Sequence, residues 1–318
     1  VTTEDSPVTI CIVPRERYSL ALASFDSVLA RTPEAFPIVY VDGQSPPAIA
    51  AGLAARCRAR GARYLQTDED LPPNKARALA LRQVETPYVI FVDNDVFPGT
   101  RWASQLVKCA QETGAWAVSP LVMEGSAMLP LIHMAGGDLQ ENDVDGVLTL
   151  KQSHRFMLRL RRRVRAQLQR QACGFFEFHC VLLRKDCFHR GCSLDPALTA
   201  LHEHLDLAMQ IHRAGGEVYF EPDAYVRYDN ATPFAAADRD FFERRWSEDW
   251  INGSLEHFRD KWRMADDDAD LLSTRRWATR HRELFGQTQK PWLRRALPRM
   301  ARREVRHLLQ TLQAGRRA

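Results

Sequence analysis

Tyr88-Val89-Ile90-Phe91-Val92 is a short apolar run that ends in Asp93-Asn94-Asp95-Val96. β-Branched and aromatic residues in a run of this length read as a buried strand. The two acids one residue apart then fall in the loop at its carboxyl end. There they can face one ligand, and they suit a hard divalent cation that bridges two phosphates. Such an ion draws charge from a departing nucleoside diphosphate. An Asp-x-Asp triplet by itself also occurs in solvated turns; its place after a buried strand gives it weight.

The same alternation continues on both sides of this stretch. Val8 to Val13 is a second buried run, followed by helical spacing over Ser19 to Arg31. Pro37 to Val41 reads as a strand ending at Asp42-Gly43, and Ala48 to Arg60 as an Ala-rich helix stopped by Gly61. Arg63–Gln66 is a short strand, Asn74–Val84 a helix, Arg101–Glu112 a helix and Trp116–Ser119 a strand. Strands alternating with helices predict a mostly parallel sheet with helices on both faces and right-handed connections. Ligands of such sheets bind beyond the carboxyl ends of the strands, where Asp42 and Asp93-Asn94-Asp95 both lie.

The second half is less regular. Residues 123–150, rich in Gly and Asp, predict loops and a β-ribbon, and residues 154–170 a basic amphipathic helix. Phe175 to Leu183 reads as a strand carrying Glu177 and His179 on one face. His202 to Ala214 reads as a helix closed by Gly215-Gly216, and Glu217 to Glu221 as a strand. From Phe241 onward the chain reads as helical and rich in Trp, with Trp246 and Trp250 on one helical face. That face could stack on a sugar or pack into a core.

Composition sets limits on the function. A chain of 318 residues with 45% hydrophobic and 26% charged residues is ordinary globular material, which excludes global disorder. The net charge of +4 is mild but uneven, with Arg-rich runs at 155–165 and from Lys290 to Arg317. These runs suit solvated helix faces, phosphates, acidic glycans or a membrane surface. Seven cysteines with no CxxC pair suit reduced thiols in a cytosolic protein. No apolar run approaches the ~20 residues that span a bilayer. Val1-Thr2-Thr3-Glu4-Asp5 lacks the basic-then-apolar pattern of a signal peptide.

Glu203 and Asp206, three apart on the expected helix, share a face. Neighbouring carboxylates repel, which lifts one of them towards the range of a useful base. The alternative is a pair of acids complementing the helix dipole.

Several of these segments together resemble the GT-A fold, family 2-like glycosyltransferases. They are Asp42 closing the second strand, Asn74-Lys75-Ala76-Arg77, Val89 to Asp95, Cys180 to Arg184, Leu194-Asp195, Glu203-His204-Leu205-Asp206, Gly215-Gly216 and Tyr219 to Pro222. The resemblance covers roughly residues 8–230. It implies an α/β, Rossmann-like catalytic domain over 1–235. Residues 1–120 would bind the nucleotide sugar and 121–235 would supply acceptor and catalytic groups. A helical, Trp- and Arg-rich extension would fill 236–318.

The resemblance also implies roles. Pro14 and Arg15 border the nucleotide, Asp42 binds its base or ribose, and Asn74, Lys75 and Arg77 lie near the nucleotide or diphosphate. Asp93 and Asn94 meet the donor, and Asp95, with Asp93, holds Mn2+ or Mg2+. The Glu203–Asp206 segment supplies the base. The implied reaction is inverting transfer of a hexosyl or N-acetylhexosaminyl group from a nucleotide sugar, foremost a UDP-sugar. The acceptor hydroxyl belongs to a glycan, a lipid-linked sugar or a protein. Apart from the resemblance, the thiols point to the cytoplasm, and the basic amphipathic C-terminal stretch suits a peripheral contact at the inner face of the membrane or, equally, packing on a partner subunit.

The chain departs from the family pattern twice. Glu203-His204 stands where Glu-Asp is usual, so Glu203, Asp206 and His204 are the candidate bases, in that order. Tyr228 stands where a His metal ligand is common. His179 is the best substitute ligand, and Arg227 is a cation for a metal-free diphosphate. Glu177, His133 and Trp246 are candidate acceptor contacts. The competing readings are a non-catalytic GT-A-like scaffold and a basic-surface protein binding membrane or nucleic acid. No nucleic-acid-binding signature supports the last of these. A nucleotidyltransferase would want glycine in the loop after the first strand, and Val13-Pro14-Arg15-Glu16-Arg17 has none.

Overall fold

The computed structural model describes residues 6–283. The amino-terminal half alternates as its hydrophobic pattern predicts. In order come β1 (Val8–Val13), α1 (Ala21–Arg31), β2 (Ile38–Gly43), α2 (Pro47–Arg60), β3 (Arg63–Thr67), α3 (Pro73–Leu81) and β4 (Tyr88–Asp93). Pro47 and Pro73 open their helices at a position where the missing N–H costs nothing. Gly61 closes α2 at φ 71°, a left-handed cap that a side chain would strain.

Then follow β5 (Val96–Pro98), α4 (Trp102–Thr113), β6 (Ala117–Glu124), β7 (Leu131–Met134), β8 (Gly137–Val144), β9 (Val147–His154), α5 (Arg161–Val164), β10 (Gln171–Cys173), β11 (Cys180–Arg184) and α6 (Asp186–His189). The chain continues through α7 (Glu203–Arg213), β12 (Val218–Tyr228), α8 (Arg239–Arg245), α9 (Glu248–Trp262) and α10 (Ala269–Arg282).

The main sheet runs β10-β12-β6-β11-β4-β1-β2-β3, with β5 on β12 and β7 on β6. The strands β12, β6, β4, β1, β2 and β3 share one direction, and β11 lies antiparallel between β4 and β6. This is an α/β fold of the GT-A kind, a mostly parallel sheet flanked by helices with a helical C-terminal region. β1 is bordered by β2 on one side and β4 on the other, so the strand order reverses there. Val13 pairs with Asp93 at the carboxyl ends. The loops after β1 and β4 therefore open onto one crevice, the usual ligand position in an open α/β sheet.

One continuous apolar core includes Val8, Phe91, Phe175, Phe220, Phe242, Trp246, Phe258 and Ala278, so α8–α10 share the core of the sheet. Ser247 caps α9 by accepting from the Trp250 N–H, and Asp268 caps α10 by accepting from Asp270 and Leu271.

Four expectations change. Residues 154–170 do not form one helix. Leu158 donates to the Ile132 carbonyl and Ile132 to that of Arg159, so the first part of this backbone is tied to β7, and only the short α5 is helical. Phe156 and Leu158 also take left-handed φ values of 57° and 62°. Phe175 to His179 is not strand; its three phenylalanines are buried, with Phe175 making only an isolated bridge to Gly137, and the strand begins at Cys180. Trp246 and Trp250 do not share a helix, because α8 ends at Arg245 and Ser247 starts a new one. β12 continues past Glu221 to Tyr228 through a bulge between Glu221 and Tyr225. The ribbon expected over 123–150 forms as the β8–β9 hairpin. The basic stretch from Lys290 to Arg317 lies outside the described residues.

Candidate active site

The crevice at the ends of β1 and β4 is built around Asp93. Its backbone N–H donates to the His179 carbonyl at 3.2 Å. Arg15 Nη1 donates to Asp93 Oδ2 at 3.0 Å, Arg77 Nη2 lies 3.6 Å from Oδ1, and His179 Nδ1 lies 3.3 Å from Oδ2. Burial pushes the Asp93 carboxyl up. Arg15, the His179 contact and Arg77 outweigh it and hold Asp93 below the ordinary carboxylate range. Asn94 fixes the loop, since its Oδ1 accepts from the Arg15 N–H and its own N–H donates to the Val13 carbonyl.

Asp95 has a different environment. It is 3% exposed, and its Oδ1 has no hydrogen-bond partner. Burial and the neighbouring Asp93 charge push its carboxyl up to about 7, against the pull of Arg15. A buried carboxylate oxygen left unpaired is costly unless something binds it. The chemistry of this oxygen fits a divalent cation. The carboxylate of Asp93, already met by three nitrogens, fits that role less well.

Arg15 is the shared cation of the crevice. Burial opposes its charge, but Glu16, Asp93, Asp95 and Glu203 together outweigh burial and hold it charged. Arg77 is buried and covers the Phe178 ring at 3.6 Å. Burial brings it down to about 10 despite Asp93 and Glu203. Asn74, beside it, accepts from Arg77 and donates to the Asp195 carbonyl. Lys75 is exposed in the first turn of α3, and Pro14 is buried against Gly43. Asp42 ends β2 with its carboxylate accepting from the Tyr64 hydroxyl and the Ser45 N–H.

Of the three candidate bases, Glu203 lies nearest this charge system. It opens α7, is 5% exposed, and has Oε1 3.9 Å from Arg245 Nη2. Asp206 turns away and accepts from Lys261, Trp262 and Gln210 at 2.7–2.9 Å. The helical spacing put Glu203 and Asp206 side by side, yet each has its own cations. His204 points its Nε2 to Glu177 Oε1 at 3.7 Å.

His179 stacks on Tyr228 with centroids 4.1 Å apart and planes 7° apart, while the Tyr228 hydroxyl donates to Glu124. Burial and Arg15 bring His179 down to about 4, so its imidazole is neutral. His133 and Glu177 lie behind this stack with His154. Arg227 is directed elsewhere, donating to Asp229 and the Gly125 carbonyl. Trp246 is corrected outright. At 1% exposure against His281 and Trp277 it is core, and no sugar can stack on it.

Sequence reasoning missed Glu16 and Arg245. Arg245 Nε lies 3.1 Å from Glu16 Oε2, which ties α8 to the loop after β1. Nothing local in the sequence marks a contact between residues so far apart. It also missed His154, which it placed in a helix.

A family model described as "Glycosyl transferase family 2" matches residues 9–191. No curated protein sequence matches the chain. Among solved structures, the crystal structure of GalNAc-T7 with UDP, GalNAc and Mn2+ superposes with a TM-score of 0.53 at 13% identity. That match covers 88% of this chain and 57% of the other, so the chain spans little more than half of its length. The crystal structure of S. aureus TarS gives a TM-score of 0.49 at 13% identity, over 76% of this chain and 39% of that one.

Proposed function

The chain belongs to glycosyltransferase family 2, and on that premise we propose that it moves a hexosyl or N-acetylhexosaminyl group from a UDP-sugar to a hydroxyl acceptor with inversion. The observation that carries this reading is the unpaired, buried Asp95 Oδ1 at the carboxyl end of β4, beside Arg15. Asp95 would hold Mn2+ or Mg2+ together with the diphosphate oxygens. When bound, the ion supplies Lewis-acid neutralisation of the diphosphate. GalNAc-T7, a neighbour in fold, was crystallised with UDP and Mn2+, which agrees with this reading.

The remaining roles follow from the chain's own groups. Asp42 and Pro14 border the nucleoside, with Asn74 and Lys75 at the start of α3. Arg15 and Arg77 balance the diphosphate charge. Glu203 takes the proton from the acceptor hydroxyl as its oxygen attacks the anomeric carbon and the diphosphate leaves from the opposite face. Asp206 is held by Lys261 and Trp262, which supports Glu203 over it. The acceptor is a glycan, a lipid-linked sugar or a protein hydroxyl. The seven cysteines are all free and buried, in keeping with action in the reducing cytoplasm. Among the described residues no helix is long and apolar enough to cross a membrane. We place any membrane contact in the basic C-terminal stretch.

The test is release of UDP from a panel of UDP-sugars, with and without Mn2+, by the intact chain and by Asp95→Ala. The reading expects metal-dependent release that Asp95→Ala abolishes. Equal release by the variant contradicts it.

A further inference from the structure

His133 on β7, His154 at the end of β9 and Glu177 before β11 each bring one ligand atom to within 4.8 Å of the others. Among the described residues this is the one such grouping of three His, Cys, Asp or Glu side chains. It is separate from the donor crevice. The His179 ring lies between, with its centroid 5.4 Å from that of His133 and its Nδ1 3.3 Å from Asp93.

The surroundings are those of a ligand set. Glu124 Oε2 accepts from the Tyr228 hydroxyl and from Asn230, and lies 3.3 Å from His133 Nδ1. That carboxylate favours the proton on Nδ1 and leaves the Nε2 lone pair of His133 for a ligand. A carboxylate behind a histidine is the usual second layer of a metal centre. His154 Nε2 is buried 3.2 Å from Glu177 Oε1 without hydrogen-bond geometry, and His204 Nε2, also unpaired, lies 3.7 Å from the same oxygen. Two buried imidazole nitrogens crowd one carboxylate oxygen, and neither makes a well-formed hydrogen bond to it.

We propose that His133, His154 and Glu177 bind a transition-metal ion of the zinc type. Two imidazoles and one carboxylate match the ligand classes of zinc, and three protein ligands leave a position for water or an acceptor oxygen. Ligand distances of about 2.0–2.2 Å space the donor atoms roughly 3.4 Å apart; His154 Nε2 and Glu177 Oε1 are already that close at 3.2 Å, so binding chiefly draws in His133. The site rests on this geometry and not on sugar transfer.

The test strips the full chain with chelator, reloads it with Zn2+ or with Co2+, desalts it and measures bound metal by mass spectrometry. The intact chain and Asp95→Asn, which lacks the donor's acidic ligand, should each keep about one equivalent of zinc. The Co2+ form should show the visible bands of a low-coordinate site. The His133→Ala/His154→Ala pair should lose both signals, and Glu124→Gln should weaken zinc binding by roughly 10–100-fold. Should the pair fail to fold, Glu177→Gln, of nearly equal volume, carries the same expectation. Substoichiometric zinc on the intact chain, or undiminished zinc on the folded variants, overturns the proposal. Neither result touches UDP binding, so failure here is distinct from failure of the donor reading.

Discussion

Asp93 and Asp95 are separated by one residue on the turn after β4, yet their carboxyls are driven in opposite directions. Asp93 is held low by Arg15, His179 and Arg77, whereas Asp95 is pushed up to about 7 by burial and by Asp93 itself. The turn thus presents one carboxylate locked into the protein's own cations and one left for a ligand.

This difference sets a pH dependence. Asp95 binds its proton more tightly in the folded chain than in the unfolded one, where the carboxyl titrates at about 4. Its contribution to stability is fully present below that value and is lost as the pH rises through about 7. The loss runs at roughly 1.4 kcal/mol per pH unit across the window. Asp95→Asn does not titrate. It should therefore be more stable than the native chain at pH 8 without metal, with the advantage shrinking towards pH 4. Urea unfolding at several pH values checks this. An Asn variant no more stable at pH 8 than at pH 4, relative to the native chain, would contradict the assignment.

Arg77 is the buried partner of Asp93 and also covers Phe178. Arg77→Ala leaves Asp93 with less compensation in a dry site and opens space over the ring. It should cost about 3–5 kcal/mol of stability. Chemical unfolding measures it, and a loss below about 1 kcal/mol would mean that solvent already reaches Asp93.

Glu203→Gln keeps the volume of the side chain at the start of α7 and removes its ability to take a proton. Donor binding should persist while turnover falls by about 100- to 10,000-fold. Titration of UDP and a transfer assay on the same sample separate the two effects. Unchanged turnover would move the base to His204 or Asp206.

Trp246 was a candidate sugar platform by its residue type, but it is core. Trp246→Ala should lower stability by about 3–5 kcal/mol. The acceptor KM of whatever protein still folds should be unmoved. A raised KM at unchanged stability would restore the platform reading.

The amino-terminal half was legible because its strands are continuous apolar runs and its helices carry proline starts and a glycine stop. The ends of β2 and β4, and with them Asp42 and Asp93-Asn94-Asp95, followed directly. The second half was less legible for a physical reason. Within the stretch 154–170, His154 to Arg159 is held by hydrogen bonds to β7, β8 and the turn between them that no local spacing encodes, and only Arg161–Val164 is α-helical. Phe175, Phe176 and Phe178 are apolar because they are buried, not because the segment is extended. Arg245 meets Glu16 across more than 200 positions of chain and Glu203 across about 40, and charged residues give no periodic signal of such a meeting. The His133, His154 and Glu177 grouping was hidden likewise, since its members come from β7 in the main sheet, β9 in the separate hairpin and the irregular stretch before β11.

The central claim is that the crevice between β1 and β4 takes a nucleoside diphosphate with a metal on Asp95. Thermal unfolding of the full chain against UDP, GDP, ADP and their sugar forms, with Mn2+ and with chelator, tests it most directly. The account predicts that UDP raises the unfolding temperature, that Mn2+ enlarges the rise, and that Asp95→Asn loses the metal-dependent part. No shift with any nucleotide, or a Mn2+ effect that survives in Asp95→Asn, would contradict it.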